Sequence, residues 1–200
     1  MIPVAPQAEP ARFDDDVRKK GLAYLQREGL ALDQPLPKGK EITPYWQACL
    51  DDLYTSYQGV CAYLAVYFER GTGAASVDHF IAKSRLAGLS YEWSNYRLAC
   101  LAMNRNKNNF EDVLDPFTLA SDWFYLDLLL GKIFPNPVLS SADQEKVNHT
   151  INRLGLNDPM HQKMRIRHYE EYKSGEFTAD HFRKKSPFVW REARRQGLLS

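Results

Sequence analysis

Val77-Asp78-His79-Phe80 sets a carboxylate beside an imidazole. Asn95 follows 17 positions after Asp78, in Trp93-Ser94-Asn95-Tyr96-Arg97-Leu98, and Asn104 comes nine later, in Met103-Asn104-Arg105-Asn106-Lys107. This set meets the needs of phosphodiester hydrolysis: a positioned water, a base for its proton, and positive charge where the phosphoryl and leaving oxygens gain negative charge. Asp78 and Asn104 offer oxygen ligands suited to Mg²⁺ or Mn²⁺, hard ions that keep several waters and take few protein groups. His79 is the expected base, because an imidazole of ordinary pKa about 6.5 is available in its neutral form. Asn95, on a connecting loop, is expected to bond the backbone near His79 and orient the ring. Arg97, Lys107 and Lys83 are expected to meet a phosphate, Arg97 in bidentate fashion.

Taken singly, each residue has a plainer reading. An Asp-His pair at a strand end is usually a cap or turn, Asn95 a loop residue, and 104–109 an asparagine-rich helix end. Only the conjunction of order, spacing and residue type points to a nuclease site. Charge supports it. The net charge of +1 divides into −3 over residues 1–80, +4 over 81–107, −5 over 108–160 and +5 over 161–200. A polyanion would dock on the basic blocks, the plainer alternative being a solvated loop face.

The elements that must hold these residues can be read from pattern. Residues 2–10 are too proline-rich for helix and form an extended arm. A helix is expected over 14–28, a linker over 33–40, and a second helix from Thr43 as N-cap with Pro44 at its first position, carrying Trp46, Cys49, Leu50, Leu53 and Tyr57 toward a core. Residues 59–68 read as a strand, turning at Gly71-Thr72-Gly73 into a second strand that ends at Val77. Residues 81–90 connect, and a short helix within 98–109 brings Asn104 and Lys107 to one face. Residues 123–135 read as a hairpin or two short strands, stopped by Pro135 and Pro137. Helices then follow from Ser140 or Ser141 to Leu154, from Asp158-Pro159 to about Lys173, and after Thr178.

The chain of 200 residues, 44% hydrophobic and 12% aromatic, can bury one substantial core, so it is globular. It has no apolar run long enough for a membrane span and no signal-peptide pattern at its start, so a cytoplasmic protein is expected. Cys49, Cys61 and Cys100 cannot all pair and form no secreted framework; Cys49 reads as core. Gln162, Arg165, Tyr169 and Tyr172 share a helical face, and His161 and His168 read as surface or packing residues. Arg183-Lys184-Lys185 with Arg191, Arg194 and Arg195 is either a solvated face or a nucleic-acid grip. Phe182, Phe188, Val189 and Trp190 read as hydrophobes that tie the tail to the body or to a partner.

Val77-Asp78-His79-Phe80, Asn95-Tyr96-Arg97-Leu98 and Asn104-Arg105-Asn106-Lys107 together resemble the HNH (ββα-metal) endonucleases, in the variant whose third residue is Asn. The resemblance covers about residues 59–110. It implies Asp78 and Asn104 as metal ligands, His79 as general base, Asn95 as orienting residue, and products with 5′-phosphate and 3′-hydroxyl ends. Many such proteins hold a structural zinc on two Cys-x-x-Cys pairs. Here Leu64 and Met103 stand where the second cysteines would be, leaving Cys61 and Cys100 as remnants, so no structural zinc is expected. A Cys61–Cys100 site completed by distant histidines is the alternative. Asn108 replaces the usual glycine after the motif lysine, a mild change because Asn tolerates left-handed backbone.

The run Tyr91-Glu92-Trp93-Ser94-Asn95-Tyr96-Arg97-Leu98-Ala99-Cys100, the proline-rich start, Tyr63 and Asp112-Val113-Leu114-Asp115-Pro116-Phe117 look like the PtuB-type HNH subunit of Septu and some retron antiphage systems. That resemblance implies a PtuA-like ABC/SMC-type ATPase partner and, in the retron setting, a reverse transcriptase with its RNA-linked DNA. The expected fold is α+β and mainly helical, with an HNH core at 59–115 between N-terminal arm and helices (1–58) and a C-terminal hairpin and helical region (116–200). The expected substrate is DNA. Its rivals are RNA such as tRNA and a non-catalytic nucleic-acid-binding or assembly subunit.

Overall fold

A computed structural model describes residues 1–72 and 74–199. The chain is α+β and forms two compact units. One unit, residues 6–59 and 69–111, carries the candidate site. It opens with a π-helical turn, Asp14–Arg18, that runs into helix α1, Lys19–Arg27. Val17, Gly21 and Leu25 recur every fourth residue and are buried, so this stripe faces the core. Gly21 is required there, because a Cβ would lie 2.1 Å from the ring of Tyr91. The arm is extended as expected and lies along its own chain: Gln7 N–H donates to the Tyr57 hydroxyl at 3.1 Å, and the Trp93 indole donates to Gln7 O at 2.8 Å.

A 3₁₀ turn, Tyr45–Cys49, leads into helix α2, Leu50–Ser56. The expected Thr43 cap is absent: the helical turn begins after Pro44, whose ψ of 56° is not helical, with no side-chain cap. Strand β1, Ala75–His79, pairs antiparallel with β2, Tyr96–Cys100, placing Asp78 opposite Arg97 and His79 opposite Tyr96. Helix α3, Leu101–Lys107, follows β2 directly and buries Met103 and Lys107, one turn apart, under the hairpin. The site therefore sits on a strand–strand–helix unit.

The other unit comprises residues 1–5, 60–68 and 112–200. Strands β3, Phe124–Asp127, and β4, Lys132–Pro135, form the expected hairpin. Asp127 Oδ1 accepts from Leu129 N–H and Leu130 N–H, both at 2.9 Å, and shapes the turn. Four helices follow: α4, Ser141–Leu154, capped by the Ser140 hydroxyl; α5, Pro159–Lys173; α6, Ala179–Lys185, capped by the Thr178 hydroxyl; and α7, Pro187–Arg195. Gly155, at φ +62°, closes α4 in the left-handed conformation.

One strand expectation fails. Residues 59–68 form no strand. Val60 and Tyr67 make one isolated bridge, and between them the chain turns tightly, with Ala65 N–H donating to Cys61 O at 2.8 Å and Ala65 at φ +50°. This apolar run is buried among unit-mates instead of laddered, and residues 60–68 belong with 112–200, apart from the hairpin that holds Asp78. The strand partner of 75–79 is 96–100. Of the turn read at 71–73, Gly73 lies outside the described residues.

Candidate functional site

β1 ends on Asp78 and His79, which are 2% and 9% exposed. His79 stands between two aromatic rings, with centroids 4.7 Å from Trp46 and 5.1 Å from Tyr96, both edge-on. Its Nε2 lies 2.9 Å from Ser90 O. A carbonyl only accepts, so Nε2 carries the proton and Nδ1 keeps the ring's lone pair. Burial, helped by the charges of Lys83 and Lys107, pushes the His79 pKa down to about 3. The ring is neutral at neutral pH, the form a base needs.

Asn95 bonds the backbone near His79. Its Oδ1 accepts from Ile81 N–H at 2.8 Å, while its amide N–H groups donate to Ile81 O and Leu89 O, each at 3.0 Å. Phe80 N–H also donates to Asn95 O at 2.9 Å. The loop that carries Ser90 O is thereby tied to the strand end that carries His79.

Lys107 departs from the expected role. It is fully buried, and its ammonium donates to His79 O at 3.0 Å and sits 3.3 Å from Asp78 Oδ1. That charge locks α3 to the end of β1 and does not face a phosphate. Arg97 is likewise buried: it donates to Ser94 O at 2.8 Å and Tyr96 O at 3.0 Å and lies over the Phe80 ring. Both cations read as surface groups in sequence because their partners, main-chain carbonyls and a facing carboxylate, are set by the fold.

Asn104 comes back to β1 from the middle of α3. Its Nδ2 donates to Val77 O at 3.3 Å, which leaves Oδ1 as the oxygen this amide can offer. Asp78, His79 and Asn104 line one cleft of about 700 Å³, together with Trp46, Lys83 and Arg105. The cleft's other wall comes from residues 36–40, whose preceding stretch is held by main-chain bonds from Ala87 N–H to Gln34 O and from Gly88 N–H to Leu32 O, both 2.9 Å. Two oxygens, one ionic and one amide, fit Mg²⁺ or Mn²⁺ in kind. Among the described residues no group of three or more His, Cys, Asp and Glu is placed to share one ion.

Trp46 and the 36–40 wall were not singled out as site residues by pattern. Trp46 falls on the same helical stripe as Cys49 and Leu53, and so reads as core. Pro37-Lys38-Gly39-Lys40 has the composition of a linker. Its two lysines around a glycine are the one signal that the linker could face an anion.

Elsewhere, Cys61 is buried in the unit of 60–68 and Leu64 beside it, while Cys100 and Met103 belong to the site-bearing unit. Cys49 is buried, as read. His161 Nδ1 lies 2.8 Å from Gly155 O and His168 Nδ1 3.0 Å from Ser186 Oγ, so both serve packing. The basic tail is substantially paired: Arg183 and Lys184 with Asp180, and Arg191 and Arg195 with buried Glu192. Phe182, Phe188 and Val189 are buried in their own unit, which resolves them as ties to the body. No helix among the described residues is long and apolar enough to cross a membrane. No protein-family profile matches the chain, and no curated protein matches it.

Proposed function

We propose that this protein is a metal-dependent endonuclease of the HNH kind that hydrolyses phosphodiester bonds, with DNA as substrate and RNA such as tRNA as the competing polymer. The observation that carries this reading is the convergence of Asp78, Asn104 and His79 on a single cleft. His79 Nδ1 accepts the proton of the attacking water while Nε2–H stays anchored on Ser90 O, so the ring does not turn as its charge changes. Asn95 holds that anchor in place through the loop backbone. Asp78 and Asn104 would hold Mg²⁺ or Mn²⁺, which when bound supplies positive charge to the phosphoryl and leaving oxygens. Lys107, bonded to His79 O, keeps the base and the carboxylate in register.

The defence role, with a PtuA-like ABC/SMC-type ATPase and in some systems a retron reverse transcriptase and its RNA-linked DNA, is proposed on the sequence resemblance. One observation favours a second reading, a nucleic-acid-binding subunit without turnover: Asp78 is almost wholly buried and already faces the Lys107 ammonium. The discriminating experiment is Mg²⁺-dependent nicking of supercoiled plasmid by the wild type and His79→Ala, each alone and with the ATPase. Loss of nicking in His79→Ala is expected; equal nicking by both proteins removes the mechanism.

A further inference from the structure

We propose that the cleft takes an unpaired nucleic-acid strand, with a base against the Trp46 indole and its phosphate between Lys83 and Lys38, and that duplex is the poorer ligand. This deepens the nuclease reading and rests on it for what the cleft floor does. The lining side chains include four cations, Lys38, Lys40, Lys83 and Arg105, against one carboxylate, Asp78. Asp78 is neutralised from beneath by Lys107, and Lys40 is engaged by Glu28 at 2.7 Å. The remaining charge of the cleft is positive and belongs to Lys38, Lys83 and Arg105.

Lys83 is the most telling of these. Its ammonium stands 4.5 Å from the centroid of the Trp46 ring, and among the described residues it makes no ion pair. Burial lowers its pKa, so the charge is held where water solvates it poorly. An incoming phosphate can draw the ammonium off the indole face that it now covers, and the base of the same nucleotide can then take that face. Trp46 also meets the His79 ring edge-on, so a base on Trp46 sets its neighbouring phosphate close to the imidazole.

Access to the base decides between strand forms. Asp78 and His79, almost wholly buried, line the open cleft with residues 36–40, Arg105, Asn108 and Asn109. A duplex keeps its bases paired inward and presents no base face to the indole. An unpaired strand can lower a phosphate onto the floor and turn a base onto the ring, and a basic groove with an interleaved aromatic is the usual arrangement for such a strand.

Binding separates this inference from the hydrolytic one. Fluorescence anisotropy with a short fluorescein-labelled oligothymidylate and its oligouridylate counterpart, each single-stranded and annealed to its complement, is read in EDTA so that nothing is cleaved. At least one unpaired probe is expected to bind about 10-fold tighter than its duplex. Trp46→Leu should weaken that binding by about the same factor, with Trp46→Phe restoring most of it, since an aromatic face is what the base needs. Lys38→Glu, at an exposed side chain, should weaken binding and flatten its salt dependence without changing the melting temperature. Duplexes bound as tightly as the single strands, or folded Lys38→Glu and Trp46→Leu proteins with unchanged affinity, overturn the proposal. Tight single-strand binding by a protein that cleaves nothing leaves this inference standing and removes the nuclease reading. His79-dependent cleavage with equal affinity for both strand forms does the reverse.

Discussion

His79 and His168 are both buried and both held neutral, one in each unit, and they differ in what their rings meet. Burial pushes His79 to about 3 and His168 to about 4. His79 gives its Nε2 proton to a main-chain carbonyl and lines a cleft with Asp78 and Asn104. His168 meets the Ser186 hydroxyl in the packing of α5 with α6 and α7, and Phe177 lies over it. The same contrast separates Lys107 from Arg165. Lys107 bonds His79 O and faces a carboxylate at the cleft floor, whereas Arg165 donates to Gly131 O at 2.5 Å and to Leu156 O, tying the β3–β4 turn to the start of α5. A buried charged or titratable group is therefore no mark of function by itself. Convergence on an open cleft is the mark.

The sharpest way to break this contrast is by rate. His79→Ala should lower cleavage by on the order of 10²–10⁴-fold, the range of a lost general base. His168→Ala, assayed where it remains folded, should stay within about twofold of wild type, its loss appearing only in stability. Comparable losses in both variants, followed on one plasmid substrate, would erase the distinction between the units.

Stability measured by urea melts separates the two buried cations next. Lys107→Met takes the ammonium from beside the buried Asp78 carboxylate and should cost about 3–5 kcal/mol. Adding Asp78→Leu should recover much of that loss, because the buried carboxylate is then gone. Arg165→Met removes a buried cation that had only carbonyl partners, at a cost of about 1–3 kcal/mol. A cheaper Lys107→Met would mean that Asp78 does not depend on the pair.

The pH dependence follows from the histidines with a definite sign. Both have folded pKa values below the unfolded value of about 6.5, so the unfolded chain binds more protons between the two. Their contribution to stability is fully present above about 6.5 and is lost as pH falls toward about 4 for His168 and about 3 for His79. Urea midpoints should fall over that window, and His168→Asn should flatten the part above pH 4. The smallest effect is expected on the basic tail. Arg183 and Asp180 are both exposed, so Arg183→Ala should shift stability by no more than about 0.5 kcal/mol.

Much of the second unit was legible in residues alone. Ser140 and Thr178 accept their cap hydrogen bonds from Asp143 N–H and His181 N–H, and Pro159 opens α5, because capping is a contest among neighbours three residues apart. The Phe124–Pro135 hairpin and the placing of Asn104 and Lys107 on the β1 side of α3 follow from the same local rules. Residues 59–68 misled because short apolar runs rich in β-branched and aromatic residues look alike whether they ladder or fill a buried turn. Ala65 at φ +50° carries no sequence signal at all.

Spacing and residue type by themselves determined the α+β class, the bounds of α4 and α5 with the start of α6, and the grouping of Asp78, His79, Asn95 and Asn104 as a candidate site, while the break between α6 and α7 at Ser186-Pro187 was not read. Tertiary structure alone decided which strand pairs with 75–79, that Lys107 and Arg97 turn inward, and that Trp46 and residues 36–40 line the cleft. The reason is one of range. Helix caps and turns are settled by bonds within a few residues, while the direction in which a lysine points depends on desolvation and on partners such as Asp78 and His79 O, 29 and 28 residues away in the chain.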